Sequence, residues 1–169
     1  MLIVQSVLEA RIMASEAAAY IRGNRGEDQL YKDYFGSNSP DTVISNFMMV
    51  VNSNTTPGIL KCSDPENSCV PSNSPAYNAF TGLDIYYCDS FYSQLPLSAL
   101  CKGETTVDAR NTLGGITLRH LITALVPRAV GSGYSCSASR GIDNALKVET
   151  NDNYEVSTRF LVVYLESVR

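Results

Sequence analysis

The chain has 169 residues, of which 44% are hydrophobic and 18% are charged, and its net charge is −4 at pH 7. This length and composition predict a single globular domain over residues 1–169 and exclude a disordered chain. No run of Lys or Arg offers the clustered cationic face that phosphate binding needs, so nucleic acid is not an expected partner. No apolar run is long enough for a membrane span.

Apolar residues at helical spacing predict helices in the first third of the chain. The first helix is expected from Leu2 to about Ile21, with Gly23 as its stop, and a second over residues 27–36. A third begins at Ser39-Pro40-Asp41, where the proline suits the first helical position. The apolar stripes of these helices are expected to pack into the core.

The middle of the chain has a different character. Residues 52–82 are rich in Pro, Ser, Asn and Gly, which predicts irregular structure, and short strands fit only at GILKC (58–62) and DIYYC (84–88). Helix returns over 107–125, and a last helix begins near Asn151. The predicted fold class is therefore α+β, mostly helical, with a small sheet and an irregular, disulfide-bearing middle.

Five cysteines at local spacings indicate an oxidising compartment, and hence secretion. Cys62 and Cys69 bracket a turn-forming segment, which predicts a small disulfide loop, and a loop-sized segment separates Cys88 from Cys101. Zinc ligation is the competing interpretation, although neither pair has Cys-x-x-Cys spacing. Cys136 is left over, as a free thiol or as half of an intermolecular bond.

Secretion carries two further expectations. The first residues are amphipathic and lack a basic leader, so we expect any signal peptide to precede residue 1 of this numbering. Asn54, in Asn-Thr-Thr, is the expected glycosylation acceptor, whereas Asn73 is followed by Ser-Pro.

Four stretches occur in an order that suggests a family: YYCDSFYSQLPLSALC (86–101), TTVDARNTLGGITLRHLITAL (105–125), GYSCSAS (133–139) and NDNYEVSTRFL (151–161). Together they resemble the fungal deuterolysin-like zinc peptidases, the lysine-specific metallo-endopeptidase superfamily also called aspzincins. The resemblance covers most of the chain, and it implies a single zincin-like domain.

The resemblance also implies where zinc would bind. In that family two histidines four residues apart on a helix hold Zn²⁺, and a glutamate after the first histidine activates the bound water. An ungapped alignment on Gly114-Gly115 places Arg119 at the first histidine position and His120 at the glutamate position. Thr123 falls at the second histidine position, so this helix keeps none of the three zinc-site residues.

No other register restores the zinc site. A shift of one residue makes His120 the first ligand, but Leu121 and Ala124 then take the other two positions. The family's third ligand is a downstream aspartate, and its expected positions are Val130 and Gly131. His120 is the only histidine in the chain. We therefore expect no catalytic residues, no bound metal and no cofactor.

The side chains that replace the zinc ligands suggest two alternatives. The guanidinium of Arg119 would take over part of the metal's charge, paired with Asp108, Asp143 or Asp152, or it would simply point to solvent. For His120, a satisfied or surface histidine is favoured over a ligand.

The cysteine pattern departs from the family in a parallel way. The family's counterpart of Cys136 pairs with a cysteine at the position that Val156 occupies here. The resemblance thus implies that Cys136 has lost its partner and is either a buried thiol or a link between two chains.

We therefore expect a secreted fungal pseudopeptidase: a metallo-endopeptidase fold without a catalytic zinc site, and not an enzyme. Its role would be to bind a protein partner or to self-assemble into a homo-oligomer or polymer, as an effector, surface or extracellular structural protein. The alternative is a zinc metallo-endopeptidase, or another hydrolase, with a non-standard site in the same cleft.

Overall fold

The structure is a computed structural model, and it describes residues 1–53, 60–72, 74–79, 83–129, 140 and 143–167. The predicted glycosylation acceptor Asn54 and the predicted unpaired Cys136 lie outside these ranges. Val130 and Gly131, where the resemblance places the family's aspartate, also lie outside the described residues.

The described elements are mostly helical, and the predicted α+β fold class is confirmed. The α-helices are α1 (Leu2–Asn24), α2 (Gln29–Phe35), α3 (Pro40–Asn52), α4 (Cys69–Ser72), α5 (Ser98–Cys101), α6 (Leu113–Leu125) and α7 (Asn151–Ser167). The strands are β1 (Leu60–Lys61), β2 (Ala76–Asn78) and β3 (Ile85–Tyr87), and short 3-10 helices cover Asp89–Ser93, Val107–Ala109 and Asn144–Glu149. Within these ranges, no helix combines the length and apolarity needed to cross a membrane.

Local chemistry explains where the first helices begin and end. α1 runs past the predicted stop at Gly23 and ends where Arg25 and Gly26 adopt positive φ angles of 51° and 71°. Asp28 caps α2, because its carboxylate accepts a hydrogen bond of 3.0 Å from the Tyr31 amide. α3 begins at the predicted proline, Pro40.

The small sheet contains one strand that the sequence did not predict. Its order is β1-β3-β2, with β1 parallel and β2 antiparallel to β3. β1 and β3 fall inside the two predicted strand segments, whereas β2 is only three residues long and follows a Ser- and Pro-rich stretch. Among the described strands, β2 lies at an edge of the sheet, with β3 on one side.

The predicted disulfide pairings, Cys62 with Cys69 and Cys88 with Cys101, are wrong. Cys69 is bonded to Cys88, 19 positions away in sequence, with a Cα–Cα distance of 5.6 Å. The reason is strand pairing: the Cys88 amide donates to the Pro75 carbonyl at 2.9 Å, which brings the end of β3 beside α4. Cys62 carries an exposed free thiol, and Cys101 is also exposed.

An aromatic cluster joins α7 to the N-terminal helices. The Tyr154 ring packs edge-on against Phe35 and Phe47, with centroids 5.1 and 5.0 Å apart. Its buried hydroxyl accepts from the Asn46 side chain at 2.6 Å and donates to the Val148 carbonyl at 2.9 Å. This cluster fixes the N-terminal half of α7 against the core.

The two glycines at the start of α6 allow close packing on both sides. The predicted helix over 107–125 begins only at Leu113, after a 3-10 turn. A Cβ on Gly114 would overlap the Glu9 side chain of α1, and a Cβ on Gly115 would overlap the Arg159 guanidinium of α7. The Glu9 carboxylate accepts from the Gly114 amide at 3.0 Å and so caps the helix start. The two glycines therefore form a tight contact that positions α6.

Candidate functional site

One face of α6 lines an open cleft of about 760 Å³. The edge strand β2, the segment around the Val107–Ala109 turn and the N-terminal part of α7 also contribute to its walls. Arg119, His120 and Thr123 all line this cleft. The three positions that the sequence assigned to a former zinc helix therefore belong to one concave site, which we call the cleft.

Arg119 forms an ion pair on the cleft wall. Its Nε lies 3.1 Å from Oδ1 of Asp152, whose side chain is fully buried, and the Arg119 side chain itself is 21% exposed. Of the three predicted carboxylate partners, Asp152 at the start of α7 makes this contact. The alternative, that Arg119 merely points to solvent, is wrong.

The ion pair belongs to a larger charge network, formed by Arg110, Arg119, Asp152, Glu155 and Arg159. Arg110 Nη2 lies 2.5 Å from Asp152 Oδ1, and Arg110 also contacts Glu155 through Nε at 3.1 Å and through Nη2. Glu155 Oε1 lies 2.6 Å from Nη2 of the fully buried Arg159. Burial disfavours the charged form of Arg110, but the carboxylates of Glu155 and Asp152 outweigh it and raise its pKa.

The charge network is incompatible with a cation at the position that the resemblance assigns to zinc. It already holds three guanidiniums against two carboxylates. A dication beside Arg119 would face like charges within a few ångströms, a repulsion on the order of several kcal/mol in a partly buried site. In the part of the chain that the structure describes, no group of three His, Cys, Asp or Glu side chains could hold a metal ion. The described residues of the cleft do not fit a zinc ion.

His120 is held in one orientation and is neutral. Its Nδ1 lies 2.6 Å from Oδ1 of Asn78, whose Nδ2 donates to the His120 carbonyl at 3.1 Å. Because that amide group must present its oxygen to the ring, Nδ1 carries the proton and Nε2 keeps the lone pair. Burial and the positive charge of Arg119 lower the pKa of His120 to about 3. The prediction of a satisfied histidine is confirmed.

Thr123 and Asn151 add polar groups to the same wall. The Thr123 hydroxyl donates to the Arg119 carbonyl at 3.1 Å and accepts from Asn151 Nδ2 at 2.6 Å. Asn151 is 4% exposed, and within the described residues its Oδ1 has no hydrogen-bond partner. A buried acceptor without a partner is costly, so this oxygen favours a ligand that brings a donor.

The edge strand β2 presents backbone groups along the cleft. Backbone hydrogen bonds at both ends of the β2–β3 pair fix its register, in which Tyr77 is opposite Tyr86. Because hydrogen-bonded pairs alternate along an antiparallel ladder, the peptide groups of Ala76 and Asn78 face away from β3. The Ser74 hydroxyl already donates to the Ala76 carbonyl at 2.7 Å. The remaining groups of this edge can pair with an extended chain.

Neither His120 nor the described cysteines equip the cleft for acid–base or thiol catalysis. A general base works best with a pKa near the operating pH, and a pKa of about 3 makes His120 a weak base. The cysteines that the structure describes do not line the cleft.

Several residues of the site were not predicted. Glu155 and Arg159 follow the expected partner Asp152 at i+3 and i+7, so the three share one face of a helix, and this charged stripe was a usable signal. Arg110 follows a 3-10 turn and Asn78 lies in the unpredicted strand, so no periodicity marked either residue.

A family model described as "HRXXH: Putative peptidase family" matches residues 1–134. The matched part contains α6 and β2, and it ends before α7. The family's name spells a motif with two histidines, whereas this chain has one histidine in total, so the intact motif cannot be present. A comparison with curated proteins found no match.

Proposed function

Because the chain belongs to the HRXXH family, whose model matches residues 1–134, we propose that it is a pseudopeptidase that binds a protein segment in the cleft. We propose further that its wider relatives are the deuterolysin-like zinc peptidases and that the protein is secreted by a fungus. The Cys69–Cys88 disulfide supports the proposed oxidising compartment.

The ion pair between Arg119 and Asp152 is the observation that carries the proposal. In the register of the resemblance, Arg119 stands where the first zinc ligand would be, and its charge is bound to a buried carboxylate. A buried pair of this kind resists opening, because the partner left behind would be an uncompensated buried charge. The network therefore supports a stable site without metal, and not a zinc site awaiting its ion.

The polar groups on the cleft walls support a peptide as the ligand. The outward-facing backbone of β2 can add an extended strand, and the Oδ1 of Asn151 can accept from a peptide donor. The lone pair on Nε2 of His120 is a second fixed acceptor. Backbone pairing supplies affinity in this mode, and the wall residues supply specificity.

Two other roles compete with peptide binding. A zinc metallo-endopeptidase, or another hydrolase with a non-standard site, would need a metal or an effective base in the cleft; the charge network disfavours a metal, and the low pKa of His120 makes it a weak base. Self-assembly is the other non-catalytic role, and the exposed apolar face of α1 favours it.

The binding role can be tested with a displayed library of random dodecapeptides and two matched variants. Thr123→Trp fills the cleft, whereas Ser93→Trp adds the same side chain at an exposed position outside it. The proposal predicts enriched peptides for the native protein and for Ser93→Trp, and their loss for Thr123→Trp. Peptides that bind all three proteins equally well would place the binding elsewhere and contradict the proposal, as would the absence of any enrichment.

A further inference from the structure

α1 is apolar on two opposite faces. One face is buried in the core, with Ala10, Met13 and Ala14 fully covered. The opposite face carries Leu8, which is 54% exposed, together with Val4 at 66% and Ile12 at 56%. A surface helix normally has a polar outer face, and a helix that is hydrophobic on all sides is expected to be covered on all sides.

The exposed residues form a continuous stripe. Val4, Leu8 and Ile12 are four residues apart, which places them in one row about 12 Å long. Met1, which lies three residues before Val4 and is exposed, extends the row toward the start of the helix. Five of the eleven exposed large hydrophobic residues of the described chain thus lie within its first twelve positions, so chance scatter does not explain the stripe.

We propose that this stripe is an interface between two copies of the chain, with their α1 helices antiparallel and a two-fold axis passing through Leu8. The equal spacing makes the stripe self-complementary, because Val4 of one copy then faces Ile12 of the other and Leu8 faces Leu8. A two-fold interface requires this property of a surface patch. The inference rests on the self-assembling role proposed above, and it does not depend on the cleft.

The size of the stripe fits a modest dimer interface. Its exposed side chains amount to on the order of 300 to 400 Å² of apolar surface. A standard interface buries about 800 Å² per partner, of which about 60% is apolar. The stripe supplies most of that apolar share, and the stems of the flanking polar side chains supply more. The expected product is a dimer that dissociates on dilution.

The flanking side chains favour a second copy over a membrane surface. A helix that lies on lipid carries Lys and Arg along its polar flanks. Here the exposed neighbours of the stripe include Gln5, Ser15 and Glu16, and the guanidinium of Arg11 donates to the Ser53 carbonyl. Glu16 would repel an anionic bilayer, and Arg11, which lies beside the stripe, is already engaged with Ser53.

Sedimentation equilibrium under reducing conditions tests the proposal, because reductant removes dimers linked through cysteines. The native chain of 18.4 kDa should approach twice that mass as its concentration rises. Leu8→Glu places two like charges at the axis and should raise the dissociation constant roughly a hundredfold. The matched control Val70→Glu, at a residue that is 88% exposed on α4, should leave the dissociation constant unchanged.

A second variant tests the geometry even if Leu8→Glu folds poorly. Leu8→Cys should form a crosslink between the two copies of residue 8 on mild oxidation, identified by peptide mapping, whereas Val70→Cys should not crosslink to itself. A monomer at every concentration would overturn the proposal. So would a dimer that keeps its affinity in Leu8→Glu and forms no crosslink at residue 8, or binding to phosphatidylcholine vesicles in place of dimerisation.

The cleft proposal and the α1 interface proposal can be refuted independently of each other. Peptide binding retained by a monomeric Leu8→Glu protein would leave the cleft proposal standing whatever the fate of the dimer. Conversely, a dimer that persists in Thr123→Trp while peptide enrichment is absent from the native protein would remove the cleft role and leave the α1 interface intact.

Discussion

Replacing Asp152 by asparagine tests whether the charge network holds the cleft together. The change keeps the shape of the side chain but removes the carboxylate that pairs with Arg110 and Arg119. Three guanidiniums would then face Glu155 alone. Breaking a buried ion pair costs about 3 to 5 kcal/mol of stability. Because the amide oxygen can still accept one hydrogen bond, we expect the free energy of unfolding to fall by an amount near the lower end, about 3 kcal/mol.

Urea unfolding measures this loss directly. With a slope of about 2 kcal/mol per molar urea, a loss of about 3 kcal/mol lowers the midpoint by roughly 1.5 M. Asp89→Asn, at an exposed position, is the matched control and should change the free energy of unfolding by less than about 0.5 kcal/mol. A loss below about 1 kcal/mol for Asp152→Asn would refute the claim that the network is a buried, stabilising replacement for a metal.

Three further predictions concern stability. The pKa of His120 is lowered to about 3 in the folded protein, so the unfolded chain binds one more proton than the folded protein between about pH 6.5 and 3. The native protein should therefore lose more stability on acidification than the His120→Gln variant. Equal shifts of the two urea midpoints from pH 7 to 4.5 would contradict this. Gly115→Ala crowds the buried guanidinium behind it and should lower Tm by about 4 to 8 °C, whereas Gly23→Ala, with open space around it, should not lower Tm; calorimetry decides between them. Cys69→Ser should cost about 3 kcal/mol in urea unfolding and Cys62→Ser almost nothing, and an equal cost for both changes would restore the local pairing that the sequence suggested.

The helices were predictable because their signals are local. The apolar spacing of α1 and the proline at the start of α3 lie in the sequence itself, and both helices form where expected. The disulfide was not predictable in the same way, since Cys69 meets Cys88 only after β2 has paired with β3. Spacing along the chain favoured pairing with cysteines nearer in sequence, whereas the tertiary structure brings Cys69 to Cys88.

The candidate site was likewise predictable only where its signals are local in sequence. The register of one helix brought Arg119, His120 and Thr123 to one cleft, and Asp152 was among the partners expected for Arg119. Arg110 could not be found, because its role comes from a loop placed by packing against α7. Sequence thus located the helix that carries the site, and only the fold assembled the charges around it.

Elemental analysis combined with a cleavage assay tests whether the cleft has zinc chemistry. The protein would be purified without chelators, its bound metal quantified, and the same sample incubated with a denatured protein substrate. We expect far less than one zinc per chain and no cleavage that a chelator abolishes. Near-stoichiometric zinc together with chelator-sensitive cleavage would contradict it and restore a peptidase.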